Sequence, residues 1–163
     1  MTRNYVRGAE RTSAPGKKQL SRLYSEDEIA WLETMADLVR RRQFAQIDHK
    51  HLSEYLTDMA LREKRELLSR LTVLIAHRLK WKFQPRKRSR SWALTIDEQQ
   101  QVFEFDCQTK SLRNYAEQNL ERVYPKAVRR SARETGLDPI KFPAQCPFTL
   151  DDLLSEEWEK HDD

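Results

Sequence analysis

Residues 62–83 read REKRELLSRLTVLIAHRLKWKF, and this stretch decides the fold class. Leu67, Leu68, Leu71, Leu74, Ile75 and Leu79 recur every three or four positions, the spacing of one face of a 3.6-residue helix. The strict alternation of a half-buried strand is missing. A helix of these 22 residues would run about 33 Å. His77 stands beside Trp81 at the edge of the apolar face, and Lys80 is expected on the opposite face, where its loss would cost little. Pro85 ends the run, because its ring disfavours helical geometry at Gln84.

The same period continues outward. Upstream, Ser25 with Glu28 three residues on reads as a capping box, opening a helix faced by Ile29, Leu32, Met35, Ala36 and Val39. Phe44 and Ile47 cross a short link to Asp48, a cap for a second helix striped by Leu52, Tyr55, Leu56 and Met59. The stretch from Arg62 is then a third. Downstream, Ser89 or Ser91 caps a fourth, with Trp92, Ile96, Phe103 and Cys107 on its buried face. Ser111 opens a fifth through Leu112, Tyr115, Ala116, Leu120, Val123, Ala127 and Val128. Pro125 should kink or restart it, and Gly136 should end it in left-handed geometry. Pro139, Pro143 and Pro147 make residues 138–148 an extended strap, after which Thr149 caps a short helix carrying Leu150, Leu153 and Leu154. Short connections favour antiparallel neighbours, so the expected fold is all-α, a single bundle of about five helices.

Composition bounds the function classes. The chain has 163 residues, enough for one domain with a tail, and is 38% hydrophobic and 34% charged. Three glycines argue against a turn-rich β fold and against a glycine loop cradling phosphate. Two cysteines, Cys107 and Cys146, are too few for a disulfide framework and lack zinc-site companions. Cys107 reads as a small core hydrophobe, and Cys146 lacks a histidine nearby in sequence to activate it. No apolar run approaches the ~20 residues of a membrane span, and no signal-peptide core follows the basic N-terminus. A soluble, cytoplasmic protein is expected.

Charge is unevenly spread around a net +4. Residues 1–22 carry Arg3, Arg7, Arg11, Lys17, Lys18 and Arg22 against Glu10 alone, without an apolar pattern, and read as a disordered basic arm. Residues 23–163 form the bundle domain, closing on an acidic tail with Asp151, Asp152, Glu156, Glu157, Glu159, Asp162 and Asp163. Between them Arg78, Lys80, Lys82, Arg86, Lys87, Arg88 and Arg90 form a second basic cluster. Such a dipolar chain can fold its acids over its own cluster or offer the cluster to an acidic partner.

Three segments carry a resemblance: LLSRLTVLIAHRLKWKFQPRKRSRSWALTIDEQ, SLRNYAEQNLERVYPKAVRRSARETGL and FPAQCPFTLDDLL. Over about Tyr24–Trp158 the chain resembles bacterial domain-of-unknown-function family twenty-nine, frequent in cyanobacteria and proteobacteria. The resemblance implies an all-helical bundle and no particular activity. Arg78 departs from it, standing where an aliphatic residue such as leucine is expected.

Candidate chemistry is sparse. His77 has no carboxylate or second histidine at matching helical spacing, so neither a metal site nor a general base is built around it. A hydrogen bond to a neighbouring helix accounts for it. Gln99 and Gln100 flank the Trp92/Ile96/Phe103 stripe, and a buried amide costs ~1–3 kcal/mol unless partnered. His77, Gln99 and Gln100 therefore form a candidate buried polar network, whether a bond that registers the bundle or a small ligand pocket. No catalytic residue, metal ligand or cofactor is assigned.

Lys82, Arg86, Lys87, Arg88 and Arg90, interleaved with Trp81, Phe83 and Trp92, suit phosphate contacts and base stacking. Pairing with acids of the same chain, such as Asp151, Asp152 or Glu156, is the stronger explanation of them. The leading expectation is a non-enzymatic binding or assembly module for a protein or an acidic polymer. The alternative is a sequence-nonspecific nucleic-acid binder using the arm and the 82–90 cluster. A third reading is an enzyme gathering His77, Gln99 and Glu54 from separate helices into a polar pocket.

Overall fold

The structure, a computed structural model, describes residues 16–106 and 109–155. Its helices are α1 (Lys17–Glu26), α2 (Glu28–Arg40), α3 (His49–Phe83), α4 (Arg90–Asp106), α5 (Lys110–Thr135) and α6 (Leu150–Leu154), and no strand occurs among the described residues. The fold is all-α, as the periodicity requires.

The expected second and third helices are one 35-residue helix, α3. Ala60, Leu61, Arg62, Glu63 and Lys64 are strong helix formers, and neither glycine nor proline interrupts them. The all-α chain divides into two compact units, Met1–Met59 and Ala60–Asp163. The physical cause lies in α3 itself. Nothing between Tyr55 and Leu67 is buried, and Leu56, Met59 and Leu61 are exposed, so each half of the helix has its own core.

In the first unit, α1 packs on α2 around Leu20, Trp31, Met35, Leu38 and Ile47. Tyr24 meets Trp31 edge-on with centroids 4.8 Å apart and stacks on His51 at 4.5 Å. Two expectations change here. Residues 17–22, assigned to the basic arm by their charge, belong to α1, because Leu20 inserts completely into this core; residues 1–15 lie outside the described residues. The helix entry at Ser25 also moves. Asp27 caps α2 by accepting from the Ala30 N–H at 3.0 Å, and packing with Leu20 and Ile47 buries Trp31, Met35 and Leu38 and leaves Ile29 and Val39 exposed. Asp48 caps α3 as expected, and its second oxygen takes His51 Nδ1 at 2.6 Å.

In the second unit, α3 from Leu67 onward, α4, α5 and α6 enclose a core that includes Leu71, Leu74, Leu79, Ile96, Phe103, Val123 and Leu153. Of the two serines Ser89 is the α4 cap, accepting from the Trp92 N–H. Thr109 rather than Ser111 caps α5, accepting from Leu112. Pro125 does not divide α5, because buried Val123, Tyr124 and Ala127 hold the helix on both sides of it. Gly136 closes α5 at φ 73°, the left-handed geometry its missing Cβ permits. The strap is then pinned from α5: Tyr124 Oη donates to Pro143 O at 2.7 Å, and the Cys146 N–H donates to the Glu121 carboxylate at 3.2 Å. Thr149 and Asp152 cap α6 reciprocally.

Candidate functional site

Arg78 and Lys80 are buried, contrary to the expectation for Lys80, and their partners explain both. Arg78 Nη1 donates to Asp152 O at 2.7 Å, and its guanidinium lies 4.9 Å from the centre of the Phe148 ring. Gln100 Nε2 donates to Leu153 O at 2.7 Å and Ser155 O at 3.0 Å. Together they satisfy the orphan carbonyls at the end of α6, where a cation is also favoured. The departure at Arg78 is thus a C-terminal cap supplied by another helix. Lys80 Nζ meets Glu134 Oε2 at 2.6 Å and lies over the Trp92 ring at 4.9 Å.

Two of the five cations of the 82–90 cluster are turned inward. Arg88 Nε donates to Trp81 O at 3.1 Å and stacks over the Trp81 ring, while Lys82 lies over Phe148. Arg86, Lys87 and Arg90 are exposed. Asp151, an acid expected to face this cluster, pairs with Arg113 instead, and Glu156 lies outside the described residues.

The expected polar network does not assemble around one point. Gln100 bonds α6, Gln99 is half-buried on α4, and His77 Nδ1 bonds Val73 O at 3.0 Å on its own helix rather than a neighbouring one. Glu54 is exposed and belongs to the first unit, whereas His77 and Gln99 belong to the second. Burial pushes the His77 imidazole below its usual value, opposed by the Val73 bond and helped by the Lys80 charge. Stability follows from that sign. Below the usual histidine value the unfolded chain takes up the proton first, so stability should be full above pH ~6.5 and fall as pH drops toward the folded-state value. Urea unfolding from pH 8 to pH 5.5 should show this loss, and His77→Gln should flatten it. Equal slopes in parent and variant would acquit His77.

Cys146 is half-buried, and burial drives its thiol up to about 11, so it is protonated at neutral pH. Cys107 lies outside the described residues. Among the described residues no three His, Cys, Asp or Glu side chains converge to hold a metal, and no helix is long and apolar enough to cross a membrane.

What the second unit does build is a groove of about 390 Å³ between α3 and α5. Arg65 lines it from α3 and Arg122, Lys126 and Arg130 from α5, with the hydroxyls of Ser69 and Thr72 beside them and Leu68, Val73 and Val123 as its apolar part. Its lining contains no carboxylate. Among the described residues Arg65, Arg122 and Lys126 form no ion pair, while Arg130 Nε donates to Glu134 Oε1 at 2.9 Å. Burial alone would raise the Glu134 carboxyl, but hydrogen bonds from Lys80 and Arg130 outweigh it and hold the group below the usual glutamate range.

Sequence reading missed this groove, although part of its signal was present. Arg122, Lys126 and Arg130 recur every fourth residue, so they share one face of α5. Like charges at that spacing destabilise a helix, and elsewhere on the same helices cations have acids one turn away, as in Arg70–Glu66 and Arg113–Glu117. On this face only Arg130 has such a partner among the described residues, Glu134, and the unpaired Arg122 and Lys126 set it apart from an ordinary solvated one.

No curated protein and no solved structure matches the chain. Residues 23–159 match the family model described as Domain of unknown function DUF29, and the chain belongs to that family.

Proposed function

We propose that the protein is a non-enzymatic binding module for an acidic partner, held in the groove between α3 and α5. One observation supports this above others: four cationic side chains converge on a groove whose lining offers them no carboxylate. Convergent charge of one sign raises the local concentration of an oppositely charged ligand and steers its approach. The same reading puts the protein in the cytoplasm of a bacterium, where a free thiol such as Cys146 stays reduced.

Fluorescent polyglutamate titrated against the full chain across a salt series tests the proposal. Binding should weaken as salt rises, and the Arg122→Gln, Lys126→Gln double variant should lose at least about tenfold in affinity, one lost charged contact being worth about 1.5–3 kcal/mol. No binding at low salt by polyglutamate or by a small organic anion would remove this function.

A second reading, nonspecific nucleic-acid binding, is favoured by the exposure of Arg86, Lys87 and Arg90 beside the Arg88–Trp81 stack. With three exposed cations on phosphates, the log–log salt slope on duplex DNA would be about −2.7. The same titration with DNA decides it: a slope insensitive to glutamine at those three positions rejects this surface.

A further inference from the structure

We infer that the groove binds a phosphate monoester carried on a small organic body; this rests on the binding function just proposed and narrows it to a ligand class. Three of the four cations are guanidinium forks, whose paired N–H groups match the oxygens of a phosphate. Arg130 is set in place before any ligand arrives. Its Nε is held by Glu134, which is itself fixed by the buried Lys80, so the two Nη groups of the fork remain for an anion. Glu134 is thus a positioning residue.

Charge and volume select the ligand. A carboxylate would bring a single charge to four cations, whereas a monoester brings about −1.5 to −2 at pH 7 and three acceptor oxygens. The volume of about 390 Å³ lies in the lower part of the ~300–1,000 Å³ span of small-molecule sites, which suits a compact ligand rather than a polypeptide segment. Half-buried Val73 and the aliphatic stems of the cations, backed by the buried Leu68 and Val123, supply apolar surface that bare phosphate would leave uncovered. The ester's organic body covers it.

Calorimetric titration of the full chain with phenyl phosphate, benzoate and inorganic phosphate tests this. Phenyl phosphate should bind at least about tenfold tighter than either of the others, and Arg122→Gln should abolish most of that advantage. Arg122 is exposed, so the variant should melt with the parent, which separates lost binding from lost fold. Benzoate binding equally well would overturn the preference for a dianion, and inorganic phosphate binding equally well would overturn the organic body. If phenyl phosphate fails to bind while polyglutamate still binds in an Arg122-dependent way, the ligand class is wrong and the acidic-partner function survives. If neither binds, both fall.

Discussion

Glu134→Ala should destabilise the protein by about 2–3 kcal/mol, less than the ~3–5 kcal/mol of a fully buried ion pair because Glu134 is itself 32% exposed and partly screened by water. The stranded group is Lys80, whose side chain is 3% exposed and whose Nζ meets Glu134 at 2.6 Å. The Trp92 face offers it a cation–π contact, which offsets only part of a lost countercharge. Lys80→Met should restore much of the loss when combined with Glu134→Ala, because it removes the buried charge and retains the apolar stem. Urea unfolding of the parent, both single variants and the double variant closes the cycle. A cost below about 1 kcal/mol for Glu134→Ala would mean the pair behaves as an exposed one. The sign with pH is also set. The carboxyl is held below its ordinary range in the folded chain, so the contribution of the pair is present above that range and lost as pH falls through the folded-state value, a lower window than that of His77.

Trp31→Ala should cost the first unit about 3–5 kcal/mol, from lost burial and the cavity left behind. Trp31 is fully buried, and Tyr24 and Tyr55 pack around it with ring centroids at 4.8 Å and 5.9 Å. Ile29→Ala is the informative comparison. Helical spacing alone puts Ile29 in the core, yet it is 65% exposed, so its truncation should change stability by less than about 0.5 kcal/mol. Denaturation followed by circular dichroism avoids reliance on the tryptophan being removed. Equal losses at the two positions would show that α2 is turned onto the other face.

How much was legible in advance differs by the range of the interaction. Helical identity, the ends near Gln84 and Gly136, and the caps at Asp48, Ser89 and Thr149 all follow from groups within four residues of one another. Local chemistry sufficed for these. The phase of α2 did not follow, because its buried face is set by packing with Leu20, a residue whose charged neighbours read as part of the arm. The division of α3 between two cores was equally hidden: Leu56 and Met59 read as part of a buried stripe, and nothing local says that no partner covers them.

The basic residues separate the two kinds of information most sharply. Sequence alone established that this is a helical chain with basic clusters and that it resembles its family. It could not sort the cations by role. Arg78 and Lys80 look like surface charges until Asp152 and Glu134, 74 and 54 positions away, come into reach, and burial then converts them into a helix cap and an ion pair. Arg65, Arg122, Lys126 and Arg130 became a site only when α3 and α5 packed side by side. The period of one helix fixes which of its residues share a face, but which face meets another helix is settled by packing across the whole core, where each charge must be solvated, paired or left for a ligand.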